Sequence, residues 1–180
     1  TIQNLGDKYL AERATDLNRL VMFWRRDSAT LNGTSGTAQA WVRALQMLTA
    51  RTDLAGLTML RWAQVVAAVG LVRLTRVWCP ACYYDQQHLR GTVYDLLLWA
   101  LAPVSWCVQH RCRLVERCPR CNATQPTLAP HAQPGCCSQC GYWLGAPPDK
   151  TRPREVEEAT PWEWWLARAL GSLVAAAPAS

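Results

Sequence analysis

The chain has one phenylalanine, three histidines and only 18% charged residues in 180 positions, and each scarcity narrows what it can do. Few charges beside 50% hydrophobic residues exclude an intrinsically disordered protein. No apolar run has the length of a bilayer span. Residues 93–108 are interrupted by Asp95 and Pro103, and residues 162–177 carry Glu163 and Arg168. No dense run of Lys and Arg forms a dedicated DNA-binding arm. There is no glycine loop of the phosphate-cradling kind, no recognisable Ser-His-Asp set, and no His-x-Glu ahead of a Pro-Cys-x-x-Cys of the type a zinc deaminase needs. A non-enzymatic protein without a small-molecule substrate is the expectation. With no apolar signal segment at its start, the chain reads as soluble and cytoplasmic, and its cysteines as thiols rather than a disulfide framework.

Cysteine and tryptophan are abundant instead, with nine and ten copies. Seven of the cysteines fall into four pairs spaced two residues apart: Cys79/Cys82, Cys107/His110, Cys118/Cys121 and Cys137/Cys140. A tight turn aims both donors of such a pair at one ion, and tetrahedral Zn2+ takes four donors. Four pairs therefore make two closed structural sites, each leaving no position for an activated water. Pro80 and Pro119 pre-set φ inside two of the turns, and Gly141 permits the left-handed residue that turns backbone N–H groups toward sulfur. Trp78, Trp106 and Trp143 flank the pairs, where a large aromatic supplies the core that a small zinc module lacks or anchors a partner.

Two pairings compete. Sequential pairing gives Cys79, Cys82, Cys107 and His110 for one ion, and Cys118, Cys121, Cys137 and Cys140 for the other. A cross-brace of the RING type uses the same ligand order, but RING domains keep a much shorter connection between the fourth and fifth ligands. Here seven residues separate His110 from Cys118, which favours two successive ribbons. Cys112 stands two past His110 as its alternative, and Cys136 is the alternative to Cys137. His88 and His131 read as structural or solvated.

The formal charge of +6 falls to about +3 once seven thiolates and two Zn2+ are counted. What remains is uneven. Residues 1–78 carry ten Arg/Lys against five Asp/Glu, which permits contact with phosphates without demanding it. Apolar periodicity predicts three helices there: one over residues 5–24, one capped by Thr37 with Trp41, Leu45 and Leu48 on a face, and one capped by Thr58 with Met59, Trp62, Val66 and Val69 on a face and Gly70 at its end. Their Arg residues suit a helix-turn-helix as well as a plain scaffold. A further helix is expected over Tyr94–Leu101. Thr160, Pro161 and Glu163 form the signature of a capping box for a last helix. The expected fold is mainly α with small zinc-ribbon β elements. It comprises an N-terminal helical domain (1–77), a tandem zinc-ribbon region (78–145), and a Pro-rich linker with a C-terminal helix (146–180) whose end resembles the start of another linker.

Trp78-Cys79-Pro-Ala-Cys82-Tyr-Tyr-Asp85, Tyr94-Asp-Leu-Leu-Leu-Trp99, Trp106-Cys107-Val-Gln-His110, Leu114, Cys118-Pro-Arg-Cys121 and Cys137-Ser-Gln-Cys140-Gly141 together resemble the TniQ/TnsD family. Upstream, Leu31-Asn32-Gly33, Trp41, Leu48-Thr49-Ala-Arg51 and Leu57-Thr58 are similar to the segment before that family's first pair. The resemblance spans residues 31–145, with Cys112 and Cys136 extra to the pattern and the family's usual opening element absent. These are target-selection proteins of Tn7-like and CRISPR-associated transposons. The resemblance implies a non-catalytic bacterial adaptor, nucleoid-associated when acting. It would link target DNA or a guide-RNA (CRISPR) effector complex to a TnsC-like AAA+ ATPase regulator. A direct sequence-specific DNA binder is the competing expectation, and a RING-like ubiquitin ligase a third.

Overall fold

Ser35 opens the first α-helix among the described residues. Its hydroxyl accepts the Ala38 N–H at 3.2 Å and caps helix α1, Gly36–Thr49. In the computed structural model, which describes residues 27–129, 132–148 and 158–176, the cap is thus two residues ahead of the expected Thr37. The helix expected over residues 5–24 lies outside the described residues. Ala38, Trp41, Val42 and Ala44 form the buried stripe of α1. Leu48, expected on that stripe, is exposed, and the left-handed Ala50 ends the helix.

The helix expected from Thr58 is a correction. Thr58 does cap, accepting the Leu60 N–H at 3.2 Å, but the element it starts is one 3-10 turn, Met59–Trp62. Val65 and Val69 beyond it are 73% and 96% exposed. Valine loses rotamer freedom in a helix, and without burial nothing offsets that cost. Met59 is fixed from elsewhere, its N–H donating to the Asn32 carbonyl at 2.9 Å.

The described chain divides into two compact units, 27–74 with 127–129, and 75–126 with 132–148 and 158–176. The second carries the cysteine pairs. Its two-stranded antiparallel sheet joins β1 (Thr75–Arg76) to β2 (Gln125–Pro126), with Arg76 opposite Gln125. Isolated bridges continue the ribbon pattern at Trp78–Val115, Trp106–Arg113, Arg117–Thr124 and Cys136–Trp143. Helix α2, Pro80–Asp85, has Pro80 in its first turn and runs into a π-helical turn, Gln86–Arg90, closed by the left-handed Gly91. The fold is mostly helical with a small sheet, as expected.

The helix expected over Tyr94–Leu101 shrinks to a single turn, α3 (Leu97–Ala100). Two tertiary hydrogen bonds hold its intended start extended: the Tyr94 N–H goes to Gln86 Oε1 at 3.0 Å, and Asp95 accepts from the Tyr83 hydroxyl. Burial pushes the Asp95 carboxyl up, and Arg76, 3.8 Å away, opposes that rise. Trp78, Trp99, Tyr83, Leu101 and Val104 form the core above this network, with Tyr83 and Trp99 edge to face at 5.8 Å.

The last helix, α4 (Pro161–Ala175), has the expected capping box. Thr160 accepts the Glu163 N–H at 3.2 Å, and the Glu163 carboxylate accepts the Thr160 N–H at 2.9 Å. These bonds hold the Glu163 carboxyl below its usual range. Helix α4 buries Ala167 and brings Gly171 toward Leu98 of α3. A Cβ at Gly171 would meet Leu98 at 3.5 Å, an ordinary contact. Gly171→Ala is therefore expected to stabilise the protein by about 0.5–1 kcal/mol, since mid-helix glycine costs that much relative to alanine. A thermal melt showing no gain, or a loss, would contradict this packing.

Candidate metal centres

Three of the four pairs share one backbone design. In each, the N–H of the residue after the second donor bonds back to the first donor's carbonyl at 2.9 Å: Arg111 to Cys107, Asn122 to Cys118, Gly141 to Cys137. That residue is left-handed every time, with φ of 52°, 58° and 68°. One residue further on, a carbonyl accepts the N–H of the first donor: Cys112 for Cys107 (2.8 Å), Ala123 for Cys118 (3.0 Å), Tyr142 for Cys137 (2.9 Å). Backbone N–H groups then point at sulfur, as with His110 to Cys107 Sγ, Arg120 to Cys118 Sγ and Gln139 to Cys137 Sγ, each at 3.4 Å. The expected role of Gly141 is met, and Arg111 and Asn122 adopt the same conformation without being glycine. The first pair is built differently. Cys79 caps α2, its sulfur accepting the Cys82 N–H at 3.4 Å, and Cys82 sits in the first turn.

Cys79, Cys82, Cys107 and His110 come together, as do Cys118, Cys121, Cys137 and Cys140, with the donor atoms of each set within 4.8 Å of one another. The grouping is sequential, not cross-braced. In the first set, His110 Nδ1 lies 3.6 Å from Cys79 Sγ, 3.2 Å from Cys82 Sγ and 3.8 Å from Cys107 Sγ, and Cys82 and Cys107 are 3.5 Å apart. In the second, Cys118–Cys140 and Cys121–Cys137 are 3.8 and 3.6 Å apart. Zn–S bonds of about 2.3 Å and Zn–N bonds of about 2.0 Å in a tetrahedron separate donors by about 3.5–3.8 Å, so both sets fit that ion. The first set is buried apart from half-buried His110; the second has Cys121 exposed and Cys140 half-buried.

The electrostatics point the same way. Hydrogen bonds from Cys112, Cys79 and Cys82 hold the Cys107 thiol far below its usual range, while the same Cys107 sulfur pushes Cys79, Cys82 and Cys112 up. Clustered thiols share few negative charges unless a cation is present, so such a set exchanges protons for metal. In the second set burial raises Cys137, but N–H groups of residues 140 and 139, the Cys121 thiol and the Gln125 amide outweigh it and bring the thiol to about 6.

Two supporting residues escaped the sequence reading. Asp85 Oδ2 lies 2.9 Å from His110 Nε2 and accepts its N–H, which leaves Nδ1 to face the sulfurs. Asp85 sits three residues past Cys82 on α2, a spacing that shares a helical face, and that was the available signal. Gln125 is fully buried; its amide donates to Cys137 Sγ at 3.3 Å and to the Ala123 carbonyl at 2.9 Å, while its Oε1 accepts the Ser138 N–H at 2.8 Å. No sequence pattern marks it. Asp85→Asn is expected to weaken metal binding at the first set about 10- to 100-fold, the usual range for losing a carboxylate behind a ligating histidine. Competition with a chromophoric chelator measures this, and unchanged affinity would remove the role.

The remaining candidates belong to neither set. Cys136 is outside both sets, although its carbonyl accepts from Arg76 at 3.1 Å. His88 stacks on Tyr84 at 3.9 Å, with Nδ1 2.8 Å from the Tyr84 carbonyl. His131 lies outside the described residues. Cys112, extra to the expected ligand set, places its sulfur 3.5 Å from Cys79 Sγ. Among the described residues no helix is long and apolar enough to cross a membrane.

The family model described as TniQ matches residues 1–114. No curated protein matches the chain. The match takes in residues 1–30, ahead of the stretch where the resemblance was read, and ends at Leu114, after the first donor set and before the second. A match over more than half the chain, together with the paired donor sets, shows that this protein belongs to the TniQ family, whose members serve transposition as adaptors.

Proposed function

We propose that the chain is a non-catalytic target-site adaptor of DNA transposition, joining a target-recognising element to the transposon's AAA+ ATPase regulator in the bacterial cytoplasm. The TniQ match carries this reading. Two Zn2+ would be held by Cys79, Cys82, Cys107 and His110, and by Cys118, Cys121, Cys137 and Cys140, the sets whose spacing fits tetrahedral coordination. Zinc would supply cross-links between chain segments, with all four positions of each ion taken by protein. Asp85 would orient His110, and Gln125 would tie its knuckle to the strand it sits on. A stapled module of this kind offers a partner a surface whose ordering cost is already met before binding.

The exposed, stacked Trp162 and Trp165 of α4 suit contact with protein, since buried tryptophan dominates many interfaces. Size-exclusion chromatography of the zinc-loaded chain with a TnsC-like AAA+ ATPase tests the proposal. Co-elution that persists in high salt supports the adaptor. Absence of a complex, with tight DNA binding that falls steeply as salt rises, would favour direct DNA recognition through the basic residues 1–78 instead.

A further inference from the structure

Cys112 occupies a special place in a repeated design. Its carbonyl does what those of Ala123 and Tyr142 do in the other two knuckles, receiving the N–H of the first donor five residues back. In this knuckle alone of the three, that position carries a thiol. The side chain is 7% exposed, and its sulfur lies 3.5 Å from Cys79 Sγ. His110 Nδ1 approaches the same Cys79 sulfur at 3.6 Å. Imidazole and thiol therefore both adjoin the Cys79 sulfur. A separation of 3.5 Å is also what two sulfurs adopt as neighbours on one tetrahedral ion, about 3.5–3.8 Å.

We infer that the first centre holds five donors for four coordination positions, with Cys112 as a reserve ligand that replaces His110 and converts three-sulfur, one-nitrogen coordination into four-sulfur coordination. The inference rests on the zinc reading of this centre. While His110 is bound, the Cys112 sulfur stays outside the coordination positions, beside Cys79. In the exchange the metal–Nδ1 bond breaks and a metal–sulfur bond forms. The thiol proton passes to the departing imidazole, or to solvent where the imidazole has been removed. A soft cation favours the four-sulfur form, because thiolate outcompetes imidazole as the metal softens.

Cobalt substitution of the full chain tests this, since the ligand-field bands of Co2+ separate the two donor sets. Wild type and Cys112→Ser are expected to bind two equivalents with the same spectrum. His110→Ala is expected to keep two equivalents, with the bands moved to lower energy and the sulfur charge-transfer intensity raised. The double variant His110→Ala/Cys112→Ser should retain one, at the second centre. His110→Ala binding one equivalent, like the double variant, would overturn the inference. Wild type that is folded yet takes up fewer than two equivalents would instead sink the underlying metal reading. Where His110→Ala does not fold, 113Cd NMR decides with the histidine in place. The cadmium-loaded wild type should show two four-sulfur resonances, one of which Cys112→Ser shifts to the three-sulfur, one-nitrogen range. Identical cadmium spectra for the two proteins would overturn the inference.

Discussion

Cys118→Ser is expected to bind one zinc instead of two and to unfold the second module while the first centre keeps its ion. The expected size of the effect follows from the energies. Apparent zinc-binding free energies in small structural sites are about 10–16 kcal/mol at neutral pH, whereas whole domains are stable by only about 5–15 kcal/mol. Residues 117–144 have little else to hold them. Among the described residues, their buried side chains are Cys118, Gln125, Cys137 and Leu144, with Gly135 packed among them. Loss of one thiolate leaves three donors near a cation that serine holds poorly, and Gln125 loses the knuckle it braces. The first centre has donors from α2 and the Cys107 knuckle and a core of Trp78, Trp99 and Leu101, none of which belongs to residues 117–144. Limited proteolysis should then cut within 117–144, and metal analysis should find one zinc in place of two. A Cys118→Ser protein that resists protease and keeps both ions would refute the ligand set.

Gly135→Ala should also cost a great deal, about 2–5 kcal/mol, for two separate reasons. Gly135 is left-handed at φ +75°, where an L side chain is strained by about 1–2 kcal/mol. A Cβ there would also overlap the Trp143 ring and come within 3.0 Å of a Val93 methyl. Overpacking of this sort costs about 1–3 kcal/mol. Gly145 crowds the same ring, since its Cβ would sit 2.5 Å from Trp143. The indole is thus clamped between two glycines and meets Tyr83 of α2 at 6.3 Å, so its displacement loosens the join between the modules. Arg76 to the Cys136 carbonyl (3.1 Å) and Ala146 to the Pro80 carbonyl (3.1 Å) close the same join. Gly141→Ala is the matched control. Gly141 is equally left-handed but has open space where a Cβ would go. A chemical melt should show a loss for Gly135→Ala that exceeds the loss for Gly141→Ala by about 1–3 kcal/mol. Equal effects would mean that backbone strain alone, not the tryptophan clamp, sets the cost.

What could be read from the residues was what metal chemistry or local hydrogen bonding dictates. The donor spacing and the sequential grouping follow from ligand geometry and connection length. The capping box of α4 follows from Thr160 and Glu163, whose bonds need no other part of the chain. The misjudged elements depended on burial. Val66 and Val69 follow helical periodicity, yet periodicity does not say whether a partner surface exists, and Val69 is exposed while Val66 is only half-buried. Tyr94 and Asp95 were read as helix but are drawn into tertiary bonds with Gln86, Tyr83 and Arg76. Asp85 and Gln125 support the donor sets from outside the ligand pattern, where spacing rules say little. Cys112 was seen as a rival to His110, whereas the structure sets both beside Cys79.

The central claim is that two zinc ions staple this adaptor module, and native mass spectrometry of chelator-free protein tests it directly. The account predicts a mass two zinc ions above that of the bare chain, dropping to one ion in Cys118→Ser. A folded, protease-resistant chain that carries no zinc would contradict it.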